Sequence, residues 1–132
     1  MTSSNQWAFD IETNMYSKIY SQAKARYPNA YITREEQSST TPEFPTILIQ
    51  ALTPVEKNAD LETQINSVLF STQITVTTNK SRSDALNIAN TIAQLYKHLS
   101  FELVGMPYCR KDDKLWTAII RARRTFDWND RL

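Results

Sequence analysis

Two segments of the chain alternate between apolar and polar side chains, and this alternation constrains the fold more than any other feature. In residues 65–79 one parity is apolar and the other carries hydroxyl and amide groups: Val68, Phe70, Ile74 and Val76 against Ser71, Gln73, Thr75 and Thr77. In residues 114–128 one parity holds Trp116, Ala118, Ile120 and Ala122, and the other changes from Leu115 and Ile119 to Arg121 and Arg123. Because successive side chains of a strand point to opposite faces, we predict two long strands with one face in a core.

Two other segments have the spacing of amphipathic helices. The first carries an apolar residue every four positions and ends before Pro28: Trp7, Ile11, Met15, Ile19 and Ala23. The second begins after Ser81 and has its apolar stripe at Leu86, Ala89, Ile92 or Ala93, Tyr96 and Leu99. Ser81 and Asp84 have the spacing of a capping box, with the shorter Asp as partner. Both helices are predicted to lie across a sheet.

The remaining segments complete a small α+β domain. Short strands are predicted over 30–36 and 46–52, and residues 101–110 read as a strand interrupted by Gly105 and Pro107. The polar segment 53–64, which we call the arm, fits an extended hairpin, an insertion or a helical turn. The predicted order is α-β-β-β-α-β-β within a single domain, residues 1–132. Hairpin-length connections favour a mostly antiparallel sheet with both helices packed on one face.

Composition removes several classes of function. The net charge is +1, so the chain lacks the broad basic surface of a protein that binds nucleic acid through charge alone. Gly105 is the only glycine, and no glycine-rich phosphate-binding loop can be written. Cys109 is the only cysteine, which excludes an intrachain disulfide. The first residues lack the pattern of a secretory signal and no apolar run spans a bilayer, so we expect synthesis in the cytoplasm and no membrane partner.

The sequence shows little catalytic chemistry. His98, the only histidine, falls at a predicted helix end beside Lys97, without a nucleophile motif. The carboxylates occur as neighbours in the chain, Glu35–Glu36 and Asp112–Asp113, whose side chains diverge rather than converge on one substrate. We therefore expect no enzyme activity and no cofactor or metal, although a carboxylate site formed in three dimensions stays open. Trp128, beyond the last strand, is expected to pack on its own domain or on a neighbouring chain.

The whole pattern resembles a family of phage proteins. The passages that carry the resemblance are FPTILIQ at 44–50, VTTNKSRSDALNIANTIAQLY at 76–96 and WTAIIRARRTF at 116–126. In this order they are similar to the tail terminator, or tail completion, proteins of long-tailed bacteriophages, the gpU-like and tail-to-head joining family. The resemblance implies a structural virion protein without enzyme activity. It forms a ring, hexameric in the family, that caps the tail tube, ends its polymerisation and joins it to the head connector.

The resemblance also sets expectations for partners and interfaces. The partners it implies are further copies of the chain, the major tail tube protein, a head–tail connector or stopper protein, and genomic DNA that passes through the lumen without sequence-specific contact. From the residue pattern we place the interface between subunits at Arg121, Arg123, Arg124, Glu35, Glu36 and Trp128. Arg121 and Arg123 would pair with carboxylates of a neighbour, such as Glu35, Glu36 or those of the arm.

Other interpretations of the arginines stay open. They can pair within their own chain, they can contact DNA in the lumen, or the chain can be a small nucleic-acid-binding module that uses Arg121, Arg123 and Arg124. We expect Arg124, which has the parity opposite to the other two, to lie past the end of the core.

Overall fold

The structure is a computed structural model that describes residues 6–34, 44–52, 55–57, 67–105 and 107–127. Two helices are described, α1 (Gln6–Arg26) and α2 (Arg82–His98). The same residues form seven strands: β1 (Tyr31–Thr33), β2 (Thr46–Ala51), β3 (Val55–Lys57), β4 (Ser67–Thr78), β5 (Glu102–Leu103), β6 (Tyr108–Asp112) and β7 (Leu115–Asp127). The fold class is α+β, and the predicted two helices with a mostly antiparallel sheet are confirmed.

The two alternating segments of the sequence form the centre of the sheet. β4 and β7 are antiparallel and paired along their length, from Ser67↔Asp127 to Thr78↔Trp116. On the far edge of β4, β2 and then β3 pair antiparallel, and β1 joins β2 in parallel. On the far edge of β7, β5 and β6 pair antiparallel one after the other. The order across the sheet is therefore β1, β2, β4, β7, β5, with β3 and β6 beside β4 and β7.

One face of this sheet holds the core. Most even-numbered side chains of β4 and β7 are buried there, and the apolar ones share a cluster with residues of both helices: Phe70, Ile74, Val76, Ala118, Ile120, Ala122 and Phe126, with Ile11, Met15, Ile19 and Ala23 of α1 and Ala85, Ile88, Ala89, Ile92 and Tyr96 of α2. Both helices therefore pack on the same face, as predicted. We call it the covered face and its opposite the open face. Trp7 of the predicted stripe is in α1, but its side chain is outside the described set.

The start of α2 is fixed by side-chain hydrogen bonds. The Asp84 backbone N–H donates to Ser81 Oγ over 3.1 Å, which confirms the predicted N-cap. The Asp84 carboxylate accepts instead from the hydroxyl of Thr78, the last residue of β4, over 3.0 Å. This carboxylate therefore joins the end of a central strand to the first turn of the helix, where the dipole also favours its negative charge.

Three details refine or correct the sequence prediction. Part of the arm, Val55–Lys57, pairs antiparallel with β4, which agrees with the hairpin alternative and adds a strand to the predicted order, while 53–54 and 58–64 lie outside the described residues. The interrupted segment 101–110 forms two strands, β5 and β6, separated by Gly105 with φ of +82°. The core does not end before Arg124: Phe126 is only 3 % exposed and belongs to the main cluster. Burial of this last aromatic carries the covered face almost to the end of β7.

Candidate assembly surface

The open face of the sheet is a polar surface with scattered apolar side chains. Its members are half-buried or exposed: Thr46, Leu48 and Gln50 of β2, Ser71, Gln73 and Thr75 of β4, Ile119, Arg121 and Arg123 of β7, and Tyr108 and Arg110 of β6. Because both described helices share the core of the other face, this face lies open in the described part of the chain. Mixed polar and apolar character with arginine and tyrosine is typical of surfaces that bind other proteins.

Arg121 lies in the middle of the open face. Its Nε donates to Gln73 Oε1 over 2.9 Å, and the two residues are direct partners on neighbouring strands. A groove of about 350 Å³ lies beside it, lined by Gln73, Val104, Tyr108, Ile119, Ile120 and Arg121. Val104 and Tyr108 are 45 % and 55 % exposed, the two highest values among the large hydrophobic side chains. The groove thus combines an arginine held in place with exposed apolar surface at the β5–β6 edge.

Arg123 continues the same face toward the end of β7. Its Nε lies 2.6 Å from Glu102 Oε1, and Glu102 is its pairing partner on β5. The two side chains are 48 % and 64 % exposed, so solvent and salt screen the pair. An exposed ion pair of this kind contributes roughly 0–1 kcal/mol. Arg123 or Glu102 can therefore leave this pair and bind another charged group with little loss of free energy.

Arg124 points to the covered face and has a different environment. Its Nη1 donates to the Leu99 carbonyl oxygen over 2.7 Å, just past the last residue of α2. The guanidinium also lies 4.3 Å from the centre of the Phe126 ring. A cation at a helix C-terminus satisfies a terminal carbonyl and interacts favourably with the helix dipole. Arg124 therefore joins α2 to β7 within one chain.

A second group of aromatic residues lies at the opposite edge of the sheet. The Tyr16 and Tyr20 rings are 5.8 Å apart, and Arg34 lies 4.9 Å from the centre of the Tyr16 ring. Arg34 is also paired with Glu12 over 2.9 Å. Partial burial, with smaller contributions from Tyr20 and Tyr31, raises the pKa of Tyr16, although Arg34 opposes the rise. Tyr20 and Tyr31 are each 37 % exposed. The two edges of the sheet therefore carry unlike surfaces.

The predicted interface residues fall into three groups. Arg121 and Arg123 lie on the open face, and Arg124 lies on the covered face. Glu35, Glu36 and Trp128 lie outside the described residues. Sequence reasoning missed Glu102 and the exposed Val104 and Tyr108. The sequence feature that could have pointed to them is the interruption at Gly105 and Pro107. It separates β5 from β6 and leaves Val104 and Tyr108 exposed at the edge of the sheet.

Three further findings concern the chemistry of the chain. Across the described ranges, no three His, Cys, Asp or Glu side chains converge where they could hold a metal ion. Neither α1 nor α2, the helices described, combines the length and apolar character needed to cross a membrane. Comparison with known proteins finds no family model that matches the chain and no curated protein similar to it.

Proposed function

We propose that this chain is a structural virion protein that forms a ring, hexameric as in the tail terminator family, at the head-facing end of a phage tail. The ring caps the tail tube, ends its polymerisation and joins it to a head connector or stopper protein. Its partners are further copies of itself, the major tail tube protein and the connector, and genomic DNA passes through the lumen without sequence-specific contact. In this proposal the protein is made in the host cytoplasm and ends in the virion, and it has no enzyme activity.

The observation that carries the proposal is the open sheet face between two unlike edges. A cyclic ring is built from heterologous contacts, in which one surface of each copy meets a different surface of the next. The tyrosines at the α1–β1 edge and the Val104–Tyr108 groove at the β5–β6 edge provide such a pair of unlike surfaces. Together with the resemblance of the sequence, this arrangement supports a ring more than it supports an isolated monomer.

The alternative of a small nucleic-acid-binding module receives less support from the same geometry. Each of the three arginines has an acceptor within its own chain: Gln73 for Arg121, Glu102 for Arg123 and the Leu99 carbonyl for Arg124. Arg124 also points to the face opposite that of Arg121 and Arg123. A phosphate backbone that followed one face would therefore meet two of these cations at most.

The test is the state of assembly with and without the tube. Size-exclusion chromatography with light scattering and negative-stain imaging should show rings, formed by the protein alone or when the tail tube protein is added. If only monomers or dimers are found at high concentration with tube protein present, the proposal is wrong. DNA binding that weakens steeply with salt, in place of rings, would favour the nucleic-acid-binding alternative.

The role of the open-face arginines is tested by charge reversal. Arg121→Glu with Arg123→Glu should block ring assembly and leave a folded monomer, because the change reverses charge on an exposed surface. Lys80→Glu with Arg82→Glu is the matched control, since both residues are exposed at the start of α2 and the change in net charge is the same. If the Arg121/Arg123 variant forms normal rings, these arginines are not part of the interface. That result would leave the proposed ring itself intact.

A further inference from the structure

Two turns of the chain lie side by side at one end of the sheet. β4 leads into α2 through residues 79–81, and β6 leads into β7 through a turn at Asp113, where φ is +55°. The last residue of β4, Thr78, pairs with Trp116, and Trp116 pairs in turn with Lys111 on β6. Because neighbouring strands lie about 4.8 Å apart, the two turns leave the sheet roughly 10 Å from each other.

Four cationic side chains lie at these turns, and we call them the basic end: Lys80, Arg82, Lys111 and Lys114. All four are exposed. Within the described part of the chain none of them donates a hydrogen bond or pairs with a carboxylate, and the one contact found is that of Lys111 Nζ, which lies 5.0 Å from the centre of the Trp116 ring. The three arginines of β7, in contrast, each have an acceptor within the chain. The cations of the basic end are therefore available to an external anion.

The basic end is more positive than the rest of the chain. Residues 79–84 and 110–114 contain five Lys or Arg and three Asp, an excess of two positive charges, whereas the remaining residues carry a net charge of −1. One of the three carboxylates, that of Asp84, already accepts from the Thr78 hydroxyl over 3.0 Å. A single copy is weakly charged, but a ring of six copies would collect about twelve excess positive charges around one opening.

The surroundings of the basic end favour a nucleic acid over another protein. The centres of protein–protein interfaces are depleted in lysine and hold aromatic or apolar anchors. The large exposed apolar side chains of the described residues all lie outside the two turns: Tyr20, Tyr31, Leu52, Val104 and Tyr108. The exposed neighbours of the cations are instead Asn79, Ser81 and Ser83, whose amide and hydroxyl groups can donate to phosphate oxygens.

The basic end lies apart from the surfaces assigned to contacts between copies. In the proposed ring, neighbouring copies meet through the α1–β1 edge and the β5–β6 edge, which flank the sheet on its two sides. The strands run at right angles to the line that joins these edges, so an end of the sheet can face the lumen while both edges stay in contact with neighbours. The basic ends of all copies would then surround the DNA.

We propose that the basic end of each copy faces the lumen of the ring and contacts the phosphate backbone of the DNA that passes through it. These contacts carry no sequence information, because the cations meet phosphates rather than base edges. Their strength comes from several copies that act together on one duplex, so an isolated copy binds DNA weakly. The inference rests on the proposed ring, and it adds the surface that faces DNA.

DNA binding by assembled rings, free or seated on a tail tube, tests the basic end. The probe is a fluorescent linear duplex of about 40 base pairs, followed by anisotropy from about 50 to 200 mM NaCl. The wild-type ring should bind it whatever its sequence, and the affinity should fall steeply with salt. Lys80→Gln with Arg82→Gln, and separately Lys111→Gln with Lys114→Gln, should each weaken binding at least about tenfold near 0.1 M salt, since each lost phosphate contact removes about 0.9 from the salt slope.

The matched control is Lys18→Gln with Lys97→Gln, because both side chains are exposed on helices and the loss of charge is the same. Its affinity should stay within about twofold of the wild type, since charges more than ~10 Å from the phosphates are largely screened at 0.1 M salt. Thermal melting and light scattering confirm that each variant folds and forms rings. Rings that do not bind the duplex at about 50 mM NaCl, or basic-end variants that bind it as well as the wild type, would overturn the inference and keep the proposed function.

Competition with circular DNA tests whether the contact lies in the lumen. A covalently closed circle cannot enter a ring that is already assembled, so it should displace the probe poorly, whereas the same circle cut once should displace it well. Equal competition by both forms would place the contact on an outer surface and overturn the inference. Basic-end variants that lose tail tube protein or connector but keep DNA would identify an acidic protein surface as the partner and overturn it as well. Absence of rings under every condition would reject the proposed function and this inference together.

Discussion

The two faces of the sheet follow from the same two strands but obey different constraints. Along β4 and β7 the even-numbered side chains other than Trp116 and Arg124 are almost fully buried, and the odd-numbered ones other than Ser67 are half-buried or exposed. The covered face contributes to stability because its side chains leave water. The open face holds polar groups that already meet one another across strands, such as Gln73 and Arg121. A substitution on the covered face should therefore change the free energy of unfolding, and one on the open face should change the association of copies.

The largest effect is expected where a core side chain is truncated. Ile74 is fully buried in the main cluster, and Ile74→Ala should lower the free energy of unfolding by about 2–5 kcal/mol, through lost burial and the cavity left behind. Thr75→Ala, the next residue on the open face, should change it by less than about 0.5 kcal/mol. Urea unfolding of both variants measures the difference. Equal losses would mean that the two faces are not distinct in the way the burial pattern indicates.

A smaller effect is expected where an arginine joins two elements of the covered face. Arg124→Met keeps much of the side-chain length but removes the bond to the Leu99 carbonyl and the contact with the Phe126 ring. The expected loss is about 1–3 kcal/mol, since a half-buried charged donor is removed from a carbonyl acceptor. Arg121→Met is the matched open-face control and should stay within about 0.5 kcal/mol. If Arg121→Met costs as much stability as Arg124→Met, the contacts by which Arg124 joins α2 to β7 are not what distinguishes the two residues.

The covered face also contains a titratable group, and its effect appears only at high pH. Burial raises the pKa of the Tyr96 phenol above its ordinary value, and the nearby Thr72 hydroxyl opposes part of the rise. Among the described residues the Tyr96 hydroxyl has no hydrogen-bond partner of good geometry. The unfolded chain releases this proton near pH 10, about the ordinary pKa of tyrosine, while the folded chain retains it. Below about pH 10 both states keep the proton, and Tyr96 does not make the free energy of unfolding depend on pH. Above about pH 10 only the unfolded chain loses the proton, so the free energy of unfolding falls by up to ~1.4 kcal/mol per pH unit.

Tyr96→Phe isolates this contribution from the other groups that titrate at high pH. The urea midpoints of the wild type and the variant, followed from about pH 9 to pH 11.5, should separate as the wild type loses stability faster. At neutral pH the variant should be at least as stable as the wild type, because replacing a buried hydroxyl that lacks a partner removes a desolvation cost of about 1–3 kcal/mol. Parallel pH profiles would show that Tyr96 is not the group responsible.

The sequence predicted the covered face well and the surroundings of the open face poorly, and the reason is physical. Alternation and helical spacing report burial, so the parity of β4 and β7 and most of the stripe of α2 were readable directly. Two members of that stripe, Leu86 and Leu99, are only half-buried, and Ile88 and Leu95 beside it are buried. Hydrogen-bond partners such as Leu99 for Arg124 depend on where a helix end meets a strand, which no local pattern encodes. Phe126 was missed because Arg124 interrupts the apolar parity just before it.

The exposed edge was hidden for a related reason. Gly105 and Pro107 predicted an interruption in one strand, but they did not show that β5 and β6 share the edge of β7 and stop short of its end. Pairing partners are set by contacts distant in sequence, so the position of Glu102 beside Arg123 became visible only in the assembled sheet. The same limit applies to any interface between copies, because its other half belongs to a second chain.

The smallest effect is expected for the ion pair on the open face. Arg123 and Glu102 are both exposed, so the coupling energy from the double-mutant cycle of Arg123→Ala and Glu102→Ala should be only about 0–1 kcal/mol in the monomer. Salt should reduce it further, since the Debye length falls from ~10 Å at 0.1 M to ~3 Å at 1 M. Urea unfolding at the two salt concentrations measures it. A coupling well above this range that persists in high salt would mean that the pair acts within the monomer fold, and that Arg123 is held too firmly to exchange to a neighbour's carboxylate.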